Sequence, residues 1–170
     1  MSISHEPRWL VHARTLIGTR EVAGPNSNPV ILDWARALGG KVVGIAYHDD
    51  ALPWCGLFLA RCFAVADIAP PLVAVRASSW IGWGQALRAE RLAPGATLVF
   101  RRPGGGHVGF YLGEDDSSYL VLGGNQGDAV SIARLAKARC IARRWPNGEP
   151  VIGRSRLTRT AGIASSSDEA

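Results

Sequence analysis

The sequence predicts a single α+β domain, and three observations carry that prediction. Apolar residues recur at helical spacing through the first half of the chain. They alternate at strand spacing in the second half, and the change falls at the turn Pro94-Gly95. Helices first and strands later is the pattern of α+β architecture. The 170 residues suffice for one domain with a real core, and nothing in them repeats. The domain is expected over residues 1–150. A flexible tail rich in arginine and serine is expected over 151–170, where the composition shifts after Pro150.

The first helix is predicted from Pro7 to Gly18, because Trp9, Leu10, Ala13, Leu16 and Ile17 share one face. Gly24-Pro25-Asn26-Ser27-Asn28-Pro29 is a loop dense in turn formers. Pro29 opens a second helix with Val30, Ile31, Trp34, Ala35 and Leu38 inward, stopped by Gly39-Gly40. Lys41 to Asp50 is a connector carrying Tyr47, His48, Asp49 and Asp50. A central apolar helix follows, with Pro53 at its first position and Cys55 in its first turn, running to about Asp67. Ala77-Ser78-Ser79-Trp80 is able to open a short helix, and Gln85 to Arg91 reads as helical. Trp80 and Trp83 are expected in the core rather than stacked on a sugar ring.

Beyond Pro94-Gly95 the strands begin, with Thr97–Arg101 first and Pro103–Gly106 as a loop. His107 to Gly113 alternates, Val108, Phe110 and Leu112 on one side and His107, Gly109 and Tyr111 on the other. Glu114–Ser118 is a polar hairpin turn, and Tyr119–Leu122 is the returning strand. Ala129–Ile132 and Arg139–Trp145 are expected to complete an antiparallel meander.

Bulk properties exclude several classes. A 47% apolar and 19% charged composition is that of a soluble globular protein, and no apolar run reaches the roughly 20 residues of a membrane span. The first 14 residues lack a signal-peptide core, so synthesis is expected to end in the cytoplasm. Three cysteines make no disulfide framework and no zinc pair. His5, His12, His48 and His107 are dispersed, so no metal and no cofactor is expected. Asp49-Asp50 and Asp115-Asp116 read as cap and turn residues. The net charge of +5 favours an anionic partner such as cell-wall polymer. The arginines are scattered rather than striped, so no nucleic-acid partner is expected. The chain is expected to work as a monomer.

Three residues suggest chemistry. Cys55 at a helix start feels the positive end of the helix dipole, which favours the thiolate. His107 begins a strand behind three glycines, which leave room for a substrate beside the ring. Asn125 falls level with His107 if the two strands pair around residue 116. A thiol, an imidazole and an amide that orients the imidazole, in that chain order, follow papain-like logic. Cys62 and Cys140 are expected to be structural.

These segments resemble a known group. Trp54-Cys55-Gly56-Leu57-Phe58 is similar to the W-C-[AGS]-x-F signature of phage-associated CHAP and NlpC-type hydrolases. Gly106-His107-Val108-Gly109-Phe110-Tyr111 resembles their GHVGxY strand, and Gly123-Gly124-Asn125-Gln126 their GGNQ segment. Gly18-Thr19-Arg20-Glu21 with Asn28-Pro29-Val30-Ile31 resembles the leader helices of a phage-encoded subfamily. The resemblance spans about Trp9 to Trp145. It implies a papain-like fold, with N-terminal helices and a cysteine-bearing helix packed on an antiparallel sheet. It implies cleavage of peptidoglycan stem peptides, as an amidase at the lactyl-alanine bond or as an endopeptidase. By the same resemblance Cys55 is the nucleophile, His107 the base and Asn125 the third polar residue. Some relatives carry an acidic residue where this chain has Gly123, which leaves the third role to Asn125, with Gln126 as substitute.

The oxyanion hole is expected to use the Cys55 backbone N–H. Tyr47 or His48 would give a second donor, and Trp54 belongs to the same candidate surface. Asp50 would cap the helix or bind a substrate amine, with capping preferred. Access to peptidoglycan would need a holin, a secretion system or a phage-tail route, with action at the wall or periplasm after release. Two other readings remain: a papain-like effector peptidase or acyltransferase acting on protein, and a silent wall-binding or phage structural module.

Overall fold

The computed structural model describes residues 5–155. Four helices precede a six-stranded antiparallel sheet: α1 (Arg8–Thr15), α2 (Pro29–Leu38), α3 (Gly40–Val43) and α4 (Cys55–Val65), then β1 (Gln85–Ala86), β2 (Thr97–Arg102), β3 (Gly105–Glu114), β4 (Ser118–Gly123), β5 (Ser131–Ala136) and β6 (Cys140–Trp145). The architecture is therefore α+β, as the switch of hydrophobic period predicts. Among the described residues no helix is long and apolar enough to cross a membrane.

The loop before α2 ends on Asn28, whose side chain accepts from the Val30 N–H while Pro29 takes the first helical position. Helix α4 is the apolar centre. Leu57, Phe58, Leu59, Ala60, Cys62 and Phe63 are all buried, and the helix packs between α1, α2 and strand β3. Phe63 contacts Trp9, Trp80, Trp83 and Phe110, and Phe58 contacts Trp34 and Phe110, so one aromatic cluster joins the helices to the sheet. Trp80 is fully buried, as expected, and donates its indole N–H to the Ala74 carbonyl; Trp83 is half-buried.

Several elements depart from the expectations. Helix α4 begins at Cys55 with Trp54 as its cap residue, so Pro53 lies outside the helix rather than at its first position. The connector contains the short helix α3, closed by Gly44 in left-handed geometry. Gln85–Arg91 is not a helix. Gln85 and Ala86 pair with Trp145 and Arg144 as an edge strand, and Ala89–Arg91 is a single 3-10 turn. Ladder bonds supplied by a distant strand override the local helical pattern here. Strand β3 starts at Gly105, two residues before His107. The first five residues of the expected tail, 151–155, are described, and Val151 packs against the core. The rest of the tail lies outside the described residues.

The sheet order is β1-β6-β2-β3-β4-β5, so β2 to β5 form a meander but β6 crosses back to the far side of β2. This corrects the simple meander. In a flat sheet β5 and β6 would be about 19 Å apart, four spacings of about 4.8 Å. The chain from Ala136 to Cys140 reaches roughly 14 Å at most. The sheet must therefore curl. Arg143 of β6 accordingly reaches across to donate to the Tyr119 hydroxyl of β4 at 3.0 Å.

Candidate active site

Cys55 is placed by the first turn of α4. Gly56 lets the neighbouring backbone come close: a Cβ there would lie 2.1 Å from the Ala74 carbonyl oxygen. That approach brings Val75, Arg76 and Ala77 against the helix start. Cys55 is buried, yet it lines a groove of about 410 Å³ between this segment and the β2–β3 hairpin. The backbone N–H groups of Val108, Gly56 and Cys55 itself face the sulfur. The thiol thus lies against β3 at the residue that follows His107.

Burial raises the Cys55 thiol above its ordinary value; these N–H groups and the Arg102 charge act in the opposite direction without prevailing. This reverses the expectation that the helix start alone would favour the thiolate. Desolvation outweighs the dipole at a fully enclosed sulfur.

His107 is fully buried on β3, opposite Phe100 of β2. Its Nε2 donates to the Gln126 Oε1 at 3.0 Å. The tautomer follows from the neighbours of Gln126. The Gln126 side-chain NH2 donates to the Ser131 carbonyl at 2.7 Å and to the Val121 carbonyl at 3.3 Å. The amide oxygen must therefore face the imidazole, which puts the ring proton on Nε2 and leaves Nδ1 as the basic nitrogen. Ser131 also donates its hydroxyl to the Gln126 carbonyl, fixing the backbone of the same residue.

Phe110 pairs with Leu122, a register that would bring residue 125 level with His107 only if the strand continued. A bulge between Tyr111 and Gly113 offsets the tip without disturbing this end. The ladder stops at Gly123, and Asn125 turns the chain with a left-handed φ of 57°. That turn folds Gln126 back over the sheet. Gly123 leaves the room it needs, since a Cβ there would lie 2.5 Å from Gln126 Oε1 and 3.1 Å from His107 Nε2. Where some relatives of the resembled group place an acidic side chain, this chain places empty space filled by Gln126.

The remaining candidates separate clearly. Tyr47 lies close enough to Cys55 for the two to interact electrostatically; burial, then Asp50, Glu21 and Asp49, raise its phenol. Its hydroxyl donates to the Leu52 carbonyl at 3.0 Å. His48 is exposed and its Nδ1 bonds the Ala46 carbonyl within its own loop. Trp54 is fully buried and donates to Glu21 at 3.1 Å, so it supports the site from beneath and offers no surface to a substrate. Asp50 does not cap α4. It is buried and its Oδ2 accepts from the Val22 and Asn28 N–H groups, holding the loop before α2. Cys62 is fully buried in α4 and Cys140 half-buried on β6, both with thiols raised by burial. Among the described residues no group of three or more His, Cys, Asp or Glu side chains could hold a metal ion. Asp115 accepts from the Ser117 and Ser118 N–H groups and pairs with Arg134, a turn residue as read from the sequence.

Sequence reasoning missed Arg76, Arg101 and Arg102, which line the groove beside Cys55. Arg101-Arg102 next to Pro103-Gly104 was visible as adjacent charge at a tight turn, but nothing local tied it to a cysteine more than 40 residues earlier. No family model matches this chain, and no curated protein matches it.

Proposed function

We propose that this protein is a papain-like thiol hydrolase that cleaves amide bonds of peptidoglycan stem peptides. The observation that carries the reading is that Cys55, at the start of α4, packs its sulfur against the β3 backbone at Val108, the residue after His107, whose tautomer Gln126 holds by a 3.0 Å hydrogen bond. A helix-borne cysteine packed on an antiparallel sheet with its base on the adjoining strand supports the papain-like description. The substrate class rests on the resemblance of the Trp54–Phe58, Gly106–Tyr111 and Gly123–Gln126 segments to peptidoglycan hydrolases.

In this mechanism the Cys55 thiol gives its proton to His107 Nδ1 as the sulfur attacks the scissile carbonyl carbon. The Cys55 N–H, at the open end of α4, donates to the developing oxyanion. Collapse expels the amine, which leaves with the proton from His107. Water, deprotonated by the same nitrogen, then attacks the thioester, frees the carboxylate and restores the thiol. Gln126 takes the orienting role expected of Asn125, and Asn125 shapes the turn that delivers it. The raised thiol makes this a resting neutral pair, activated by the base at the moment of attack.

Incubation with purified peptidoglycan and mass spectrometry of the soluble fragments tests the proposal. The wild type is expected to release peptide or amine, and Cys55→Ala to release none while melting like the wild type. Undiminished release by that variant would overturn the mechanism. Muramic acid freed of L-alanine identifies an amidase, and a cut between amino acids an endopeptidase.

A further inference from the structure

The groove beside Cys55 has an uneven charge. Its walls are apolar, from Ile45, Val75, Ile81, Val99, Phe100 and Ile141, and three arginines are among its lining residues: Arg76, Arg101 and Arg102. No acidic residue lines it. Among the described residues none of the three arginines has a carboxylate partner, although Arg8, Arg14, Arg36 and Arg134 all do. Arg102 is the innermost by two measures. Its charge reaches the Cys55 thiol, and its Nε is buried without a hydrogen-bond partner. A buried donor left unmatched in the protein is a donor positioned for a ligand.

Around Tyr47 the charge has the reverse sign, since Asp50, Glu21 and Asp49 all raise its phenol. An anionic group would be repelled there and drawn to the arginines.

We propose that the groove recognises a peptide carboxylate, held by Arg102 with Arg101 and Arg76 at the outer rim, next to the bond that Cys55 attacks. The substrate class this selects is a peptide with a free carboxyl close to the scissile amide and an apolar portion against Ile45, Ile81 and Ile141. The inference rests on the hydrolase reading above for the identity of the attacked bond. The geometry that places the three arginines is independent of it. Tight turning at Pro103-Gly104 sets the rim: Arg102 pairs with Gly105 and Arg101 with Gly106, so the hairpin ladder fixes the backbone from which the two side chains extend.

Binding separates the inference from the catalytic reading. The Cys55→Ala protein is titrated with peptidoglycan-derived stem peptides whose carboxyl groups are either free or converted to carboxamides, by calorimetry at low salt. The free-acid peptides are expected to bind about tenfold more tightly, the gain of one charge-assisted pair. Adding Arg102→Gln should bring the two forms to within about twofold, and Arg102→Lys should keep part of the preference. Arg101→Gln, at an exposed position, gives a smaller loss in a variant under no folding strain. Equal binding of both peptide forms by Cys55→Ala overturns the inference, as does a preference that Arg102→Gln leaves intact, and so does no binding of either. Hydrolysis by the wild type is scored separately. Fragments released equally from free and amidated peptides leave the hydrolase standing and remove the carboxylate clamp. Carboxylate-selective binding without any fragment release does the reverse.

Discussion

The proposed nucleophile and its proposed base have opposite needs at rest. Burial holds the Cys55 thiol protonated, while the fixed Nε2 proton on His107 keeps Nδ1 basic. In the proposed mechanism the pair resolves this by internal proton transfer, so removal of His107 should expose the raised thiol. The pH profile of Cys55 alkylation by iodoacetamide tests this. In His107→Ala the midpoint is expected on the alkaline side of the ordinary thiol value of about 8.5, because desolvation penalises the thiolate and no neighbour accepts its proton. An unshifted profile would mean that His107 does not act on the sulfur. Gln126 is the second test at this scale. Gln126→Ala removes the acceptor that holds the Nε2 proton of His107, and should lower kcat on the order of 100-fold with KM little changed. A parallel rise in KM alone would assign Gln126 to substrate binding instead.

At the scale of elements, the β3–β4 hairpin and the turn after it position His107 and Gln126. The sequence makes the hairpin legible because its cues are local: alternation from His107 to Gly113, a polar turn, and a glycine-rich end. From those cues the level of residue 125 with His107 follows without any structure. Which of Asn125 and Gln126 meets the ring is not a local matter. It depends on the left-handed turn at Asn125 and on the Val121 and Ser131 carbonyls that hold the Gln126 amide. The edge pairing of Gln85 and Ala86 and the return of β6 to β2 are hidden for the same reason: their partners are distant in sequence. Gly123 is the point where element and site meet. Gly123→Ala would force its methyl into Gln126 and His107, with an expected cost of about 1–3 kcal/mol in denaturant unfolding and a loss of activity like that of Gln126→Ala. Combining Gly123→Ala with Gln126→Ala removes the side chain that is struck. The double variant should then be less destabilised than the sum of the two single changes. Strict additivity would show that the clash lies elsewhere.

At the scale of the whole molecule, two thiols are buried and the third half-buried, and burial raises all three. In the unfolded chain they titrate near the ordinary value of about 8.5. Below that pH both states hold their protons and the thiols leave stability unchanged. Above it the unfolded state releases protons that the folded state keeps, so stability falls with rising pH until the folded values are passed. The Tyr47 phenol, also raised by burial, adds a loss of the same sign at still higher pH. Thermal melts between pH 7 and 10 should therefore show a falling Tm, about 2–8 °C for each 1 kcal/mol of stability lost. Cys62→Ala provides the control, because Cys62 is the thiol at the centre of α4 and away from the groove. It is expected to melt lower at pH 7, from the small void it leaves in the packing around α4, but to lose less Tm between pH 7 and 10 than the wild type. If both proteins lose Tm equally, the alkaline sensitivity belongs to the surface charges of a chain with a net charge of +5 and not to its buried thiols. The two causes separate further with salt. Added salt screens surface charges but leaves the burial of a thiol in the core unchanged.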